Sequence, residues 1–172
     1  LAAVAKRAGF LPGSHLGKAL DHVFESYPRD ELFQVSAEDF YEIALGILQL
    51  GERQRLRVFV RPDPFGRFVS CLVFVPREVY STELRRKFEE ILLESFNGQS
   101  AEIEVLIDDG VLARIQFTVR TTPGQVPQVD RHHIVVAALT ALRVQGRVDA
   151  GTCAAAIARY GLEPDATSSW NG

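Results

Sequence analysis

Three short segments of the sequence carry residue types that could do chemistry, and the first resembles a phosphate-binding loop. Residues 13–18 read GSHLGK, and glycine amides followed by a lysine are typical of loops that hold phosphate oxygens. The segment is one residue shorter than that motif, and Ala19 stands where a serine or threonine would bind magnesium. We therefore predict a turn followed by a helix that Ser14 caps.

The other two segments are a pair of adjacent histidines and a pair of adjacent aspartates. His132 and His133 are adjacent, so on a helix their side chains would point about 100° apart and could not bind one metal from one face. Asp108 and Asp109 precede Gly110 in a sequence typical of a tight turn, which explains them without a shared catalytic pocket. The sequence also lacks a GxGxxG dinucleotide fingerprint. We predict no catalytic residue, no metal ligand and no cofactor-binding residue anywhere in this sequence.

An arginine-rich segment with interleaved aromatic residues is the best candidate for a functional surface. Arginine and aromatic side chains are enriched at protein interfaces, although a solvated strand face would explain the same pattern. Arginines at alternate positions would lie on one face of a strand. The predicted interface or effector-contact residues, which span this strand and the turn after it, are Arg55, Arg57, Phe59, Arg61, Asp63, Phe65, Gly66 and Arg67.

Composition indicates an ordinary globular chain and excludes several classes of partner. The 172 residues are 47% hydrophobic and 24% charged, with a net charge of −3, which argues against nucleic acid as a partner. No apolar run approaches the ~18 residues that cross a bilayer, and residues 1–10 do not resemble a signal peptide, so we expect no membrane partner and a cytoplasmic location. The sequence contains no methionine, so we expect a fragment of a longer protein.

Apolar spacing predicts helices in the first fifty residues. After Ser14, apolar residues recur at helical intervals as far as Tyr27, and Pro28 ends this helix. Ser36 is a suitable cap for the next helix, which runs to Leu50. We assign residues 1–52 to a helical connector.

From residue 53 the apolar period changes from helical to alternating. Residues 56–60 alternate, whereas residues 68–75 are apolar on both faces and predict a central strand of a hairpin. Ser81 caps an amphipathic helix that stops at Asn97-Gly98, and a second hairpin covers residues 101–119.

A further helical segment follows the second hairpin, which predicts an α+β two-layer sandwich. Its four-stranded antiparallel sheet has helices on one face in the order ββαββα, like ferredoxin-like and ACT folds, and further helices precede it. We assign residues 53–122 to this domain and residues 123–172 to a linker and helical tail, with residues 121–124 interpreted as linker.

Several long and unusual stretches carry a resemblance to one family. They are YPRDELFQ at residues 27–34, LGIL at 45–48, RQRLRVFVRPDPFGRFVSCLVFVPR at 53–77 and YSTEL at 80–84, extended forward by AGF at 8–10, PGSH at 12–15 and GKAL at 17–20. This sequence resembles the amino-terminal half of the large bacterial NAD-specific glutamate dehydrogenases. The likeness covers residues 1 to about 130.

The resemblance implies a role that the residues alone do not show. In that family several ACT-like domains precede the catalytic region, and residues 53–122 would form the second of them. NAD and the substrate lysine would lie elsewhere in the parent enzyme, which oxidatively deaminates glutamate to 2-oxoglutarate and ammonia. We therefore expect a non-catalytic regulatory or assembly segment that contacts other domains or subunits of a homo-oligomer. The alternative is a sensor domain that binds a free amino acid and acts allosterically.

Overall fold

The computed structural model describes residues 14–50, 56–107, 112–129 and 131–144, together with Gly146 and Gly151. The chain divides into two compact units, residues 1–54 and 55–172, and each is considered by itself. In the described part of the chain, none of the helices has the length and apolar character needed to span a membrane.

The first unit contains three helices: α1 (His15–Ser26), α2 (Arg29–Leu32) and α3 (Ala37–Leu50). Ser14 caps α1, because its hydroxyl accepts a hydrogen bond from the Gly17 amide at 3.0 Å. This confirms the predicted helix cap in the segment that resembles a phosphate-binding loop, whereas Gly13 of the predicted turn lies outside the described residues. Ser36 caps α3 in the same way, through a 3.0 Å bond from the Asp39 amide.

Aromatic contacts hold α1 against α3. The ring of Phe40 meets the ring of Phe24 edge-on with centroids 5.7 Å apart, and it meets the ring of Tyr27 edge-on at 5.2 Å. Leu20 and Ala44 are buried, as the helical spacing predicts. Pro28 separates α1 from the short helix α2, which the sequence analysis did not predict.

The second unit is a sheet with helices on one face, which confirms the predicted fold class. Its strands are β1 (Arg57–Pro62), β2 (Phe68–Pro76), β3 (Ser100–Ile107) and β4 (Leu112–Arg120), and its helices are α4 (Thr82–Ser95) and α5 (Arg131–Val144). All neighbouring strands are antiparallel, in the spatial order β1-β2-β4-β3. The strand that is apolar on both faces, β2, is central as predicted.

One apolar face of this sheet and two helices form the core. Phe88 of α4 lies over Phe117 of β4 with ring centroids 6.4 Å apart, and both are buried. Ile134 and Ala138 of α5 belong to the same core. Helix α5 is the last helix of the predicted order ββαββα. The predicted domain boundary at residue 122 instead assigns its residues to the helical tail.

Strand β3 lies at the edge of the sheet and is less covered than its alternating pattern suggests. Its apolar residues Val105 and Ile107 are 40% and 42% exposed, and Leu106 on the opposite face is 40% exposed. One ion pair joins β3 to β4, since Arg120 Nη2 lies 2.9 Å from Glu102 Oε1. This ion pair is exposed and contributes little to stability.

Helix α4 is terminated at Asn97 and Gly98, as predicted. Asn97 has a φ of 51°, so the asparagine, not the glycine, adopts the left-handed conformation. The Gly98 amide donates to the Leu93 carbonyl at 2.7 Å and the Asn97 amide donates to the Glu94 carbonyl at 3.4 Å, which is the bonding pattern of a Schellman motif. Gly98 is required for space, because a Cβ there would clash with the side chain of Val119.

We predict that substitutions at Asn97 and Gly98 differ in their effect on the free energy of unfolding. Asn97→Gly should change the free energy of unfolding little, because glycine adopts a positive φ without strain and the 3.3 Å hydrogen bond lost from Asn97 Nδ2 to the Gln125 carbonyl is exposed. Gly98→Ala should lower that free energy by about 1–3 kcal/mol, because the added methyl overpacks the space beside Val119. Urea denaturation of both variants measures the difference, and equal effects at the two sites would contradict this assignment.

Candidate interface and effector site

The turn between β1 and β2 is closed by backbone hydrogen bonds. The Asp63 amide donates to the Phe68 carbonyl at 2.9 Å, and the Gly66 amide donates to the Asp63 carbonyl at 2.9 Å. Gly66 has a φ of 68°, a conformation that favours glycine. Residues 62–66, which include Pro62 and Pro64, therefore fold as a compact loop.

The carboxylate of Asp63 organises the interior of this loop. Its Oδ2 accepts hydrogen bonds from the amides of Phe65 and Arg67, at 3.2 and 3.1 Å. The Arg67 guanidinium binds it in a bidentate manner, with Nε 2.9 Å from Oδ2 and Nη2 3.0 Å from Oδ1. The Asp63 side chain is 3% exposed, whereas that of Arg67 is 60% exposed.

These contacts decide the protonation state of Asp63. The side-chain hydrogen bond from Arg67 is the main cause that lowers the pKa of Asp63 to about 2, although burial opposes it. The same partner raises the pKa of Arg67. Asp63 is therefore ionised at neutral pH and acts as a structural acceptor, and it has no proton to donate in catalysis.

Residues 121–123, which follow β4, also contact this loop. The Thr121 hydroxyl donates to the Gly66 carbonyl at 2.8 Å, and the Thr121 amide donates to the Arg67 carbonyl at 2.9 Å. A Cβ on Gly66 would lie 3.3 Å from the Cα of Pro123, so the two segments approach closely. The sequence pattern of residues 121–124 indicates a linker and does not reveal this role, because the partners of Thr121 lie more than fifty residues away in the chain.

A cleft of about 440 Å³ lies beside this loop, between the end of α4 and residues 124–129. Most of its lining residues are of apolar types, and no lysine, arginine, histidine or cysteine is among them. These are Val60, Pro62, Asp63, Pro64, Phe65, Gly66, Phe96, Gly124, Val126, Pro127, Gln128 and Val129.

The residues predicted for the site fall into two groups. Asp63, Phe65 and Gly66 line the cleft, and the Arg67 guanidinium lies over the Phe65 ring, 5.2 Å from its centroid. Phe65 is 72% exposed.

Arg57, Phe59 and Arg61 alternate along β1 with Val60, which lines the cleft, so these three residues belong to the opposite sheet face. Phe59 is buried there and meets the ring of Phe74 edge-on at 6.0 Å. Arg61 Cζ lies 5.8 Å from the ring centroid of Phe68, and Arg57 is partly buried. Arg55 lies outside the described residues.

The arrangement suits binding through apolar contacts. Within the described ranges, no three His, Cys, Asp or Glu side chains are placed to hold a metal ion. Asp108 and Asp109 lie outside the described residues, as does the side chain of His132.

The second unit is an α+β sandwich of the ACT type, and comparison with known proteins agrees. Residues 57–143 match the model of the ACT2 domain of glutamate dehydrogenase, and residues 1–53 match the model of helical motif 1 of glutamate dehydrogenase. The chain belongs to the glutamate dehydrogenase family. The ACT2 match reaches residue 143, past residue 130, where the likeness read from the sequence ended.

Three similar proteins are named NAD-specific glutamate dehydrogenase. The one from Halomonas elongata is 50% identical over 120 residues, which are 70% of this chain and 7% of that protein. The one from Pseudomonas aeruginosa is 43% identical over 130 residues, 76% of this chain and 8% of that protein. The one from Mycobacterium tuberculosis is 37% identical over 107 residues, 62% of this chain and 7% of that protein. The chain thus matches only a small part of each relative's length.

We predict that Asp63 makes stability depend on pH in the acid range. The folded pKa of about 2 is below the ordinary value of 3.8, so the stabilisation is complete above about 3.8 and is lost as pH falls toward 2. Asp63→Asn should lower the free energy of unfolding at neutral pH, and the difference from the wild type should shrink as the pH falls below 3.8.

Urea unfolding from neutral pH downwards measures this difference. Glu102→Gln, which removes the exposed ion pair with Arg120, is the matched control and should show little effect at any pH. A difference between Asp63→Asn and wild type that does not change with pH would contradict the assignment.

Proposed function

We propose that this chain is a non-catalytic regulatory or assembly segment of an NAD-dependent glutamate dehydrogenase. The observation that carries the proposal is the ordered loop that presents Phe65 and Arg67 to solvent on an ACT-type sandwich. Membership of the glutamate dehydrogenase family supports the identity of the parent enzyme.

The loop has the properties of a preformed contact surface. Large aromatic and arginine side chains contribute most to protein interfaces, and here both are exposed. Their conformations are already restricted by Asp63 and Thr121, so a partner would lose less conformational entropy on binding them. In this proposal the partners are other domains or subunits of the parent enzyme, which is a homo-oligomer.

The parent reaction is the oxidative deamination of glutamate to 2-oxoglutarate and ammonia with NAD. This proposal rests on the names of the similar proteins, which are NAD-specific glutamate dehydrogenases. NAD and the catalytic residues would belong to other parts of that enzyme. The contribution of this segment is then to position those parts or to change their activity.

A second candidate function is an amino-acid sensor that acts allosterically on the same enzyme. The cleft of about 440 Å³ favours it, because small-molecule sites commonly measure roughly 300–1,000 Å³. The effector would lie beside the loop that contains Asp63 and Gly66.

The proposed function predicts that the 172-residue chain has no glutamate-dependent activity on NAD. Purified chain is incubated with glutamate and NAD, and NADH formation is followed by absorbance. The complete enzyme under the same conditions is the positive control. NADH formation above the level of a denatured sample would overturn the proposal.

The second candidate predicts that at least one common amino acid stabilises the chain. A ligand at 100 times its Kd raises the free energy of unfolding by about 2.7 kcal/mol, which a thermal-shift screen detects readily. The Gly66→Val variant, whose larger side chain would crowd the backbone of Pro123, should lose the shift. If none of the common amino acids stabilises the wild-type chain, this candidate is removed.

A further inference from the structure

We propose that the cleft binds an apolar side chain from an acidic segment of another domain of the same polypeptide, and that Arg67 binds a carboxylate of that segment. The inference rests on the proposed function and names the partner. It concerns the loop that contains Phe65 and Arg67 together with the cleft beside it.

The cleft is better suited to a neutral apolar group than to a free amino acid. Its walls include Phe96, Val126 and Val129, and its one carboxylate is that of Asp63. That carboxylate is 3% exposed and is occupied by Arg67, so it cannot receive a ligand's ammonium group. A free amino acid would have to give up hydration of its ammonium without a compensating charge, and that costs free energy. A side chain within a protein segment carries no such group.

Arg67 supplies a charge that selects the segment. Its guanidinium is 60% exposed and uses Nε and Nη2 to bind Asp63. Arginine has five N–H donors, so the donors on Nη1 remain for a second carboxylate. The Phe65 ring, 5.2 Å from the guanidinium carbon, restricts the position of that group at the rim of the cleft. A partner with an acidic residue close to its apolar anchor would satisfy both features.

The size of the cleft favours a partner within the same polypeptide. Twelve residues line the cleft, fewer than the roughly 20–30 residues that each of two independent proteins contributes to a standard interface. A tether raises the effective concentration of a segment to about the millimolar range, so a small contact is then sufficient. The chain covers only 7% and 8% of two relatives, which leaves ample polypeptide to supply the segment.

Photocrosslinking in the complete enzyme tests the proposal. Phe65 is replaced by p-benzoylphenylalanine, the purified enzyme is irradiated, and the crosslinked peptides are identified by mass spectrometry. We expect a crosslink within one polypeptide, to a segment in which an apolar residue lies within two positions of an aspartate or glutamate. The same replacement at Phe33, which is 89% exposed in the first unit, is the matched control and should not capture that segment.

A peptide of the captured segment then tests the two contacts separately. Its affinity for the 172-residue chain should fall about tenfold or more with Phe65→Ala, as expected for an aromatic anchor. Replacing the acidic residue of the peptide by its amide should weaken binding and remove its salt dependence, while the loop of the chain stays unchanged. Equal binding of the acid and amide peptides would overturn the role of Arg67.

The remaining outcomes separate this inference from the proposed function. A crosslink between two polypeptides, a captured segment without an acidic residue, or no crosslink at position 65 would overturn the inference alone. Stabilisation of the chain by a free amino acid that blocks the crosslink would also overturn it, in favour of the sensor. NADH formation by the isolated chain would overturn the proposed function, whatever is crosslinked.

Discussion

The second unit depends on the burial of one face of its sheet beneath α4 and α5. The apolar residues on that face of β2 and β4 are buried, and Phe88 and Ile134 from the two helices meet them there. Burial of apolar surface is the main free energy that opposes the loss of chain entropy on folding. The loop between β1 and β2 lies outside this core, so its order comes from specific hydrogen bonds made by Asp63 and Thr121.

The loop after β1 shows how such local order arises. Asp63 satisfies two backbone amides and the Arg67 guanidinium from a nearly inaccessible position. Thr121, at the end of β4, holds two carbonyl groups of the same loop. An arginine that would otherwise sample many conformations is thereby restricted, and an aromatic residue stays exposed beside it. Restriction of this kind lowers the entropic cost of recognition and distinguishes the loop from an ordinary solvated turn.

Much of the fold follows from sequence periodicity, whereas the site follows only in part. The helical spacing in α4 and the two-sided apolar pattern of β2 predict their burial, because periodicity reflects the environment of each face. The candidate residues in the loop were recognisable from their types, but β1 carries the others away from the cleft. The roles of Thr121 and Gly98 depend on contacts with distant parts of the chain. Neither local spacing nor residue type reports such contacts.

The edge position of β3 affects the tendency of the chain to associate with other molecules in solution. Strand edges expose backbone groups that can template pairing with another molecule, and three consecutive apolar residues at the end of β3 are 40–42% exposed. Glu102 and Glu104 on the same strand place negative charge beside them, which acts as a gatekeeper against aggregation. Loss of this negative charge would leave the apolar end of the edge strand without that protection.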